Sequence, residues 1–293
     1  MNVIEMQDIT KTLGTFRLEL PALTVQQGYI TGFIGENGSG KTTTMKLLMN
    51  MLFADSGHIR LLNMDMPAKD IQIKQHIGYM GDQMGYPEKL RLEQLKNCIA
   101  AFYTDWDENL YQKYRQHFQL DDHKRYSDLS KGMKKQFDLI MALSHHPQLL
   151  LLDEPTANLD PLARDQFLDI LLSQMEDENL SVFFSTHITS DLDKVADEII
   201  FLHGGRLLMT DTRDHLLETH RLVKGKSSLL IPEVEQTFVH IQRNNFGFEA
   251  LSNNWQHTYE VLGEEAVYER ASLEDIFIHY VAHSQNLEKG GLK

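Results

Sequence analysis

Positive charge and cysteine are both scarce in this chain of 293 residues. Lys and Arg number 28 against 42 Asp and Glu, a formal net charge of −14. A surface with that excess is poorly suited to holding nucleic acid or anionic lipid, so no nucleic-acid partner is expected, and solubility is the plainer use of the charge. The single cysteine, Cys98, excludes an intrachain disulfide and fits a reducing cytosol; set in an apolar stretch, it is expected to be a packing residue. Long apolar runs are missing as well. The most apolar segments, around Leu149–Leu152 and Ser181–Phe184, have strand length, far short of the ~20 residues of a membrane helix. The opening Met1-Asn2-Val3-Ile4-Glu5 shows no basic region followed by an apolar run, so no secretory signal is expected. Work at a membrane would therefore need another chain to cross it. There is no internal repeat and no low-complexity segment. The length suits one large domain, or a domain of ~200 residues with a smaller appendage.

What the chain does have is Gly35-Glu36-Asn37-Gly38-Ser39-Gly40-Lys41-Thr42, which fills every fixed position of G-x-x-x-x-G-K-[ST]. The glycines let successive N–H groups turn inward and form a concave anion site. Lys41 adds a point charge for the β- and γ-phosphates, and the Thr42 hydroxyl is placed to ligate Mg²⁺. Tyr29–Ile34 reads as a buried strand leading into this phosphate loop. Met45, Leu48, Met49 and Leu52 recur at helical spacing after it, which predicts a helix over Thr43–Phe53 with its N-terminus aimed at the phosphates.

Before the loop, Val3–Thr10 and Phe16–Val25 read as strands, the second broken by Pro21, and this β-rich layer is expected to cover the base. Ser56–Leu62 and Ile77–Met80 predict two more strands. From Tyr86 to Tyr126 the spacing is helical, with Leu92, Leu95, Ile99, Phe102 and Tyr103 on one face and Leu110, Tyr114 and Phe118 on another. That predicts a helical insertion over about 86–128, its aromatics mainly core. A helix opened within Ser127–Met133, with Ser or Asp at its cap, and running to about Ser144, and a helix from Pro161 to Met175, flank the buried strand Leu149–Asp153. Ser181–Ser185 is another strand, and His203-Gly204-Gly205 marks a hairpin. Short polar and basic residues over Thr219–Ser228 suggest a boundary between units 1–220 and 221–293. Beyond it Leu229–Ile231, Thr237–Ile241 and His257–Leu262 read as strands, Ser272–Ala282 as a closing helix, and Asn286–Lys293 as a frayed end. The expected fold class is α/β: a P-loop core with an antiparallel β subdomain and a helical subdomain, plus a small C-terminal α+β appendage.

Asp153 and Glu154 end an apolar strand and so fall at the carboxyl edge of the sheet, where open α/β sheets bind ligands. Asp153 suits Mg²⁺, and Glu154 suits a general base toward water attacking the γ-phosphate. His187, directly after a buried strand, could hydrogen-bond that phosphate and water. His145-His146 before Pro147 reads as an ordinary helix end, and no His/Cys cluster has zinc spacing.

Together these motifs resemble ATP-binding-cassette (ABC) ATPases. The phosphate loop through Thr43, Leu129-Ser130-Lys131-Gly132-Met133, Leu149 through Asp153-Glu154-Pro155-Thr156, Asn158-Leu159-Asp160 and Ser185-Thr186-His187 follow that family's order and spacing over residues 1 to about 220. The resemblance implies that Leu129–Met133 is the signature loop, Asp160 lies in the D-loop, and His187 is the switch histidine. It implies ATP and Mg²⁺ as cofactors. It also implies a head-to-tail dimer in which Ser130 and Gly132 of one subunit close over ATP held by Gly35, Asn37, Gly38, Ser39, Gly40, Lys41, Thr42 and Thr43 of the other. Ser130 and the Gly132 amide at a helix N-terminus favour a phosphate on physical grounds.

Three positions depart from the family pattern. Lys131 replaces the usual second glycine of the signature. Asp82 stands where the Q-loop glutamine is usual, with Gln83 beside it, and either could reach Mg²⁺ or the attacking water. Leu13 stands where an aromatic usually stacks on adenine, leaving Phe16 as the substitute. Ala271–Phe277 resembles the ending of ATPase subunits of bacterial exporters whose membrane subunit is separate. The Ser-Lys-Gly-Met signature resembles exporters of amphipathic peptides such as phenol-soluble modulins. The implied function is an ATPase subunit on the cytoplasmic face of the cell membrane, paired with a second ATPase subunit and an integral-membrane partner. The alternative is a soluble ABC-type nucleotide switch without a transport role. One phosphate loop argues against a twin-cassette ribosomal protein, and residues 54–128 are too short for the coiled coil of a chromosome ATPase. The presence of both Glu154 and His187 argues against a non-hydrolysing regulator.

Overall fold

The computed structural model describes residues 1–82, 84–176 and 179–290, the last three of these by backbone alone. The chain opens with a long hairpin, β1 (Asn2–Leu13) and β2 (Phe16–Gln26), whose alternating Ile4, Met6, Ile9, Leu18 and Leu20 bury one face. Pro21 lies inside β2 and does not break it. It faces Asp8, whose φ of 50° takes that position out of the ladder between the pairs Gln7–Ala22 and Ile9–Leu20. On its other side β2 pairs only at Glu19, so neither neighbour needs an N–H from Pro21.

β3 (Ile30–Gly35), buried along its whole length, delivers the chain to the phosphate loop and α1 (Lys41–Leu48). α1 stops before the expected Phe53, which lies exposed beyond it. β4 (Ser56–Leu61) and β5 (Met64–Met66) extend the hairpin layer, and α2 (Asp70–Lys74) leads to β6 (Ile77–Met80). The helical insertion is α3 (Leu92–Ala100) and α4 (Glu108–His117), anchored by Leu92, Leu95, Tyr111 and Tyr114. Two expectations fail here. Phe102 is 77% exposed because α3 ends two residues before it. Cys98 is exposed, since Ile99 takes the inward position on α3.

α5 (Lys131–Leu143) begins at its N-cap Ser130, whose hydroxyl accepts from the Met133 N–H at 3.2 Å. β7 (Leu149–Asp153), α6 (Pro161–Gln174), β8 (Ser181–Thr186) and α7 (Thr189–Val195) follow, then the hairpin β9 (Glu198–His203) and β10 (Arg206–Thr212), and α8 (Arg213–Thr219). These ten strands make one sheet, ordered β5-β4-β1-β2-β10-β9-β3-β8-β7-β6, with β9, β3, β8, β7 and β6 parallel. Period-2 alternation splits the parallel strands between two cores. Phe33, Leu149, Leu151 and Phe183 face α1 and the hairpin layer, whereas Ile34, Leu150, Leu152 and Phe184 face the helices of the other side.

β11 (Arg221–Gly225) is an inner strand of a second, antiparallel sheet, and α9 (Pro232–Glu235) follows it. β12 (His240–Asn244), β13 (Gly247–Ser252), α10 (Trp255–Leu262) and β14 (Val267–Arg270) complete the unit in the order β12-β13-β11-β14. The segment His257–Leu262, expected as a strand, lies within the helix α10. Asn254 caps it by accepting from the His257 N–H, and Thr258 and Leu262 bury at a spacing of four. Leu229–Ile231 is likewise not a strand: a 3₁₀ turn over Ser227–Leu229 runs into α9. α11 (Leu273–Gly290) carries the helix through Asn286, where a frayed end was expected; Gly291–Lys293 lie outside the described residues. Ile276, Phe277 and Val281 of α11 join Phe201 and Leu192 in the main core, which fixes the second sheet to the first. Among the described residues no helix is long and apolar enough to cross a membrane.

α5 lies hard against β6. A Cβ on Gly78 would fall 2.3 Å from the Ala142 carbonyl oxygen, so glycine is required by the approach of the helix. Just past α5, the His145 Nε2–H donates to the Ile77 carbonyl at 3.1 Å, and its ring stacks on Tyr103 at 3.8 Å. Burial pushes the His145 imidazole down to about 4 from an ordinary 6.5, so it is neutral at pH 7. A depressed folded value means that the stability is complete above 6.5 and is lost as the pH falls through 4. By NMR the His145 ring is expected to stay neutral down to about pH 5. The urea midpoint should decline on acidification more steeply than in His145→Gln; an imidazole titrating near 6.5 contradicts this placement.

Candidate active site

Gly38 and Gly40 of the phosphate loop have φ of 82° and 116°, a region that side-chain-bearing residues rarely occupy. Gly40 is also the N-cap of α1, so the free N–H groups of the first helical turn point out of the loop. The Lys41 ammonium curls back and donates to the carbonyls of Gly35 at 2.6 Å and Glu36 at 3.2 Å. It also pairs with Glu154 Oε1 at 3.1 Å. Ser39 turns inward instead: its side chain packs beneath the loop, where a Cβ on Gly35 would meet its hydroxyl at 2.4 Å.

Two strands away, β7 ends at Asp153, which is fully buried. Ser185 at the end of β8 donates to Asp153 Oδ1 at 2.6 Å, while Oδ2 is buried and, among the described residues, has no hydrogen-bond partner. The chain then turns so sharply that Glu154 has φ of 49°, a strained conformation for a non-glycine residue. Its N–H is tied to the Ser185 carbonyl at 3.0 Å, and its side chain is thrown into the cleft. There the His187 Nδ1–H donates to Glu154 Oε2 at 2.8 Å. One carboxylate is thus held by Lys41 on one oxygen and His187 on the other, and the His187 Nε2 is left free of Glu154. Tyr79 beside Asp153 and Asp82 stays a neutral phenol, pushed up to about 12 by burial first and those two carboxylates second.

A cleft of about 510 Å³ gathers these groups, lined by Asn37, Gly38, Gly40, Lys41, Thr42, Thr43, Asp82, Glu154 and His187, with Leu13 and Phe16 at one wall. Phe16 supports the loop as well, lying 3.0 Å from where a Cβ on Gly40 would be. Glu36 and Ala157 also line the cleft and carried no signal in the sequence. Gln83 lies outside the described residues. Ser130, Gly132 and Asp160 do not reach this cleft. Ser130 caps α5, and Asp160 caps α6 by accepting from the Ala163 N–H at 3.0 Å. A Cβ on Gly132 would lie 3.6 Å from the Leu159 side chain, which puts the start of α5 beside the residue that precedes the Asp160 cap of α6. Thr156 donates to Asp191 at 2.6 Å and Arg164 lies 3.7 Å from the same carboxylate, a brace that no sequence motif announced.

A phosphate loop at the carboxyl end of an inner parallel strand, facing an acidic pair two strands away, defines a P-loop ATPase. The comparisons narrow this. The family profile described as ABC transporter matches residues 18–157. The chain is 31% identical over 219 residues to the ABC transporter ATP-binding protein YtrB of Bacillus subtilis (strain 168), covering 74% of this chain and 75% of that one. It is 30% identical over 222 residues to the bacitracin transport ATP-binding protein BcrA of Bacillus licheniformis, covering 75% and 72%. Among solved structures, the ATP-binding subunit of an ABC transporter superposes with a TM-score of 0.67 at 26% identity, over 74% of this chain and 92% of that one. The dimeric structure of a bacterial ABC transporter cassette shares the fold with a TM-score of 0.64 at 19% identity, over 71% and 98%. The chain belongs to the ATP-binding subunits of ABC transporters, and it is an ATP-binding ATPase.

Proposed function

We propose that this chain is the ATP-hydrolysing subunit of a membrane exporter whose transmembrane subunit is a separate polypeptide, and that it acts as a head-to-tail dimer closed by ATP. The observation that carries the hydrolytic part of this reading is the grip on Glu154, one carboxylate shared between the phosphate-loop lysine and His187; the exporter part rests on the transport relatives. Phosphates arriving at the N–H groups of the loop compete for Lys41 and draw it away from Glu154, which frees Oε1 to accept a proton from water. His187 keeps the other oxygen fixed; with Nδ1–H committed to Glu154, its Nε2 would donate to the γ-phosphate only in the doubly protonated ring. The buried Asp153 Oδ2, unpartnered among the described residues, and the cleft-facing Thr42 suit a hard cation, so these two, with Asp82 or Gln83, would hold Mg²⁺. When bound it neutralises charge on the β- and γ-phosphates. Leu13 and Phe16 would flank the base. Ser130, Gly132 and Asp160, absent from the chain's own cleft, would serve the partner's nucleotide.

In this reading residues 1–220 are the nucleotide-binding unit and 221–293 an accessory unit whose last helix is built into the main core. The subunit would sit on the cytoplasmic face of the membrane, its helical region at 86–126 receiving short helices of the membrane partner. The bacitracin transport relatives support a peptide cargo, amphipathic or antimicrobial. The test is isolation of the tagged chain from its own cells in a mild detergent that preserves complexes. One integral-membrane protein should copurify and alter its ATPase rate. An ATPase recovered without any integral partner, and insensitive to membranes, contradicts the exporter role and favours the soluble switch.

A further inference from the structure

A second cavity, of about 500 Å³, lies behind the nucleotide cleft, and the two share a wall formed by Asp82 and Ala157. Lys131, Lys134 and Lys135 of α5 line it together with Tyr86, Tyr126 and Asp138. The three lysines are not equivalent. Lys131 is exposed and Lys134 half-buried, whereas Lys135 is only 7% exposed. Its ammonium donates to the carbonyls of Gly81 at 3.2 Å and Asp82 at 3.4 Å. These carbonyls follow the end of β6, the edge strand, whose ladder with β7 stops at Met80. Lys135 therefore does for them what a neighbouring strand would otherwise do.

A buried ammonium is an unfavourable way merely to fill space, since a methionine of similar size would carry no desolvation penalty. What the charge adds is a directed link between two functional segments. One end is the helix whose N-cap is Ser130 of the signature loop; the other is the loop that carries Asp82 into the nucleotide cleft. The other end of α5 is already fixed to β6, by the close contact at Gly78 and, just past the helix, by His145 on the Ile77 carbonyl. Lys135 extends that attachment to the end that carries the signature. Asp138, one turn further and 3% exposed, accepts from the Tyr126 hydroxyl at 3.3 Å and places a carboxyl in the same cavity. Burial pulls Lys135 below its ordinary range, and the carboxylates of Asp138, Asp82, Asp153 and Glu154 oppose that pull.

We propose that Lys135 is a positioning residue for the nucleotide site, holding the Gly81 and Asp82 carbonyls to α5 so that Asp82 enters the cleft in register with the signature loop. This role rests on the hydrolytic cycle proposed above. It is tested on the full-length chain with Lys135→Met and Lys135→Arg. In Lys135→Met, peptides containing Gly81 and Asp82 should exchange amide hydrogens roughly tenfold faster without nucleotide. The KM for ATP should stay within about threefold of the parent while kcat falls roughly 10- to 100-fold, the loss that misplacement brings. Lys135→Arg, which keeps the charge and its donors, should recover most of both. Exchange and kcat both within about twofold of the parent in Lys135→Met would overturn the proposal. So would an arginine variant as impaired as the methionine one. If Lys135→Met fails to fold, Lys135→Gln carries the same comparison. If the parent hydrolyses no ATP, the hydrolytic reading falls, yet the exchange measurement still decides whether Lys135 ties this loop.

Discussion

Replacing Glu154 by glutamine is expected to lower ATP turnover roughly 10²- to 10⁴-fold, the contribution of a positioned general base, while nucleotide binding is retained. Glutamine keeps the shape of the side chain; its oxygen can accept from Lys41 and its NH2 can donate to His187 Nδ1 in the other tautomer, in place of the contacts of 3.1 and 2.8 Å that Glu154 makes. What it loses is the basic oxygen. Because the carboxylate also competes with phosphate for Lys41, the glutamine variant should bind ATP at least as tightly as the parent. Single-turnover hydrolysis and a nucleotide titration measure the two parts separately. Turnover within about threefold of the parent would remove Glu154 as the base.

Lys41→Ala is expected to be as severe on the other half of the cycle. It removes the ammonium that faces the loop, now held by the Gly35 and Glu36 carbonyls and Glu154. Charge-assisted hydrogen bonds to phosphate contribute about 1.5–3 kcal/mol each, so losing one or two weakens ATP binding roughly 10- to 10⁴-fold. The fold should survive, since Glu154 is partly exposed and keeps its bond from His187. A fluorescent-nucleotide titration beside a thermal melt checks this. Unchanged affinity would mean that phosphate does not sit at this loop.

The phosphate loop was legible because it is contiguous: eight adjacent residues specify strand, turn and helix start together. The acidic pair was legible because an apolar strand ending in two carboxylates has few other uses beside such a loop. What the residues could not convey was the contact between Glu154 and His187, 33 positions apart, or the strained turn at Glu154 that makes it possible. Lys135 was less legible still. In the run Lys131, Lys134, Lys135 it reads as part of a solvated face, yet it is buried where β6 ends at Met80, donating to the Gly81 and Asp82 carbonyls. The C-terminal unit misled for a local reason. Short apolar runs such as His257–Leu262 fit a strand or a helix turn equally, and the cap at Asn254 decides for helix. Pro21 misled in the opposite sense, because its strand has no pairing partner that needs its missing N–H.

In the proposed cycle this cleft is half of a site and ATP closes two chains over it, with Ser130 and Gly132 of each serving the other. Sedimentation of the Glu154→Gln variant with and without Mg²⁺-ATP tests that closure. A 33.8 kDa monomer is expected without nucleotide. With Mg²⁺-ATP a species of twice that mass is expected, which Ser130→Arg abolishes without loss of nucleotide binding. A variant that binds ATP and remains monomeric at concentrations well above its nucleotide Kd would contradict it.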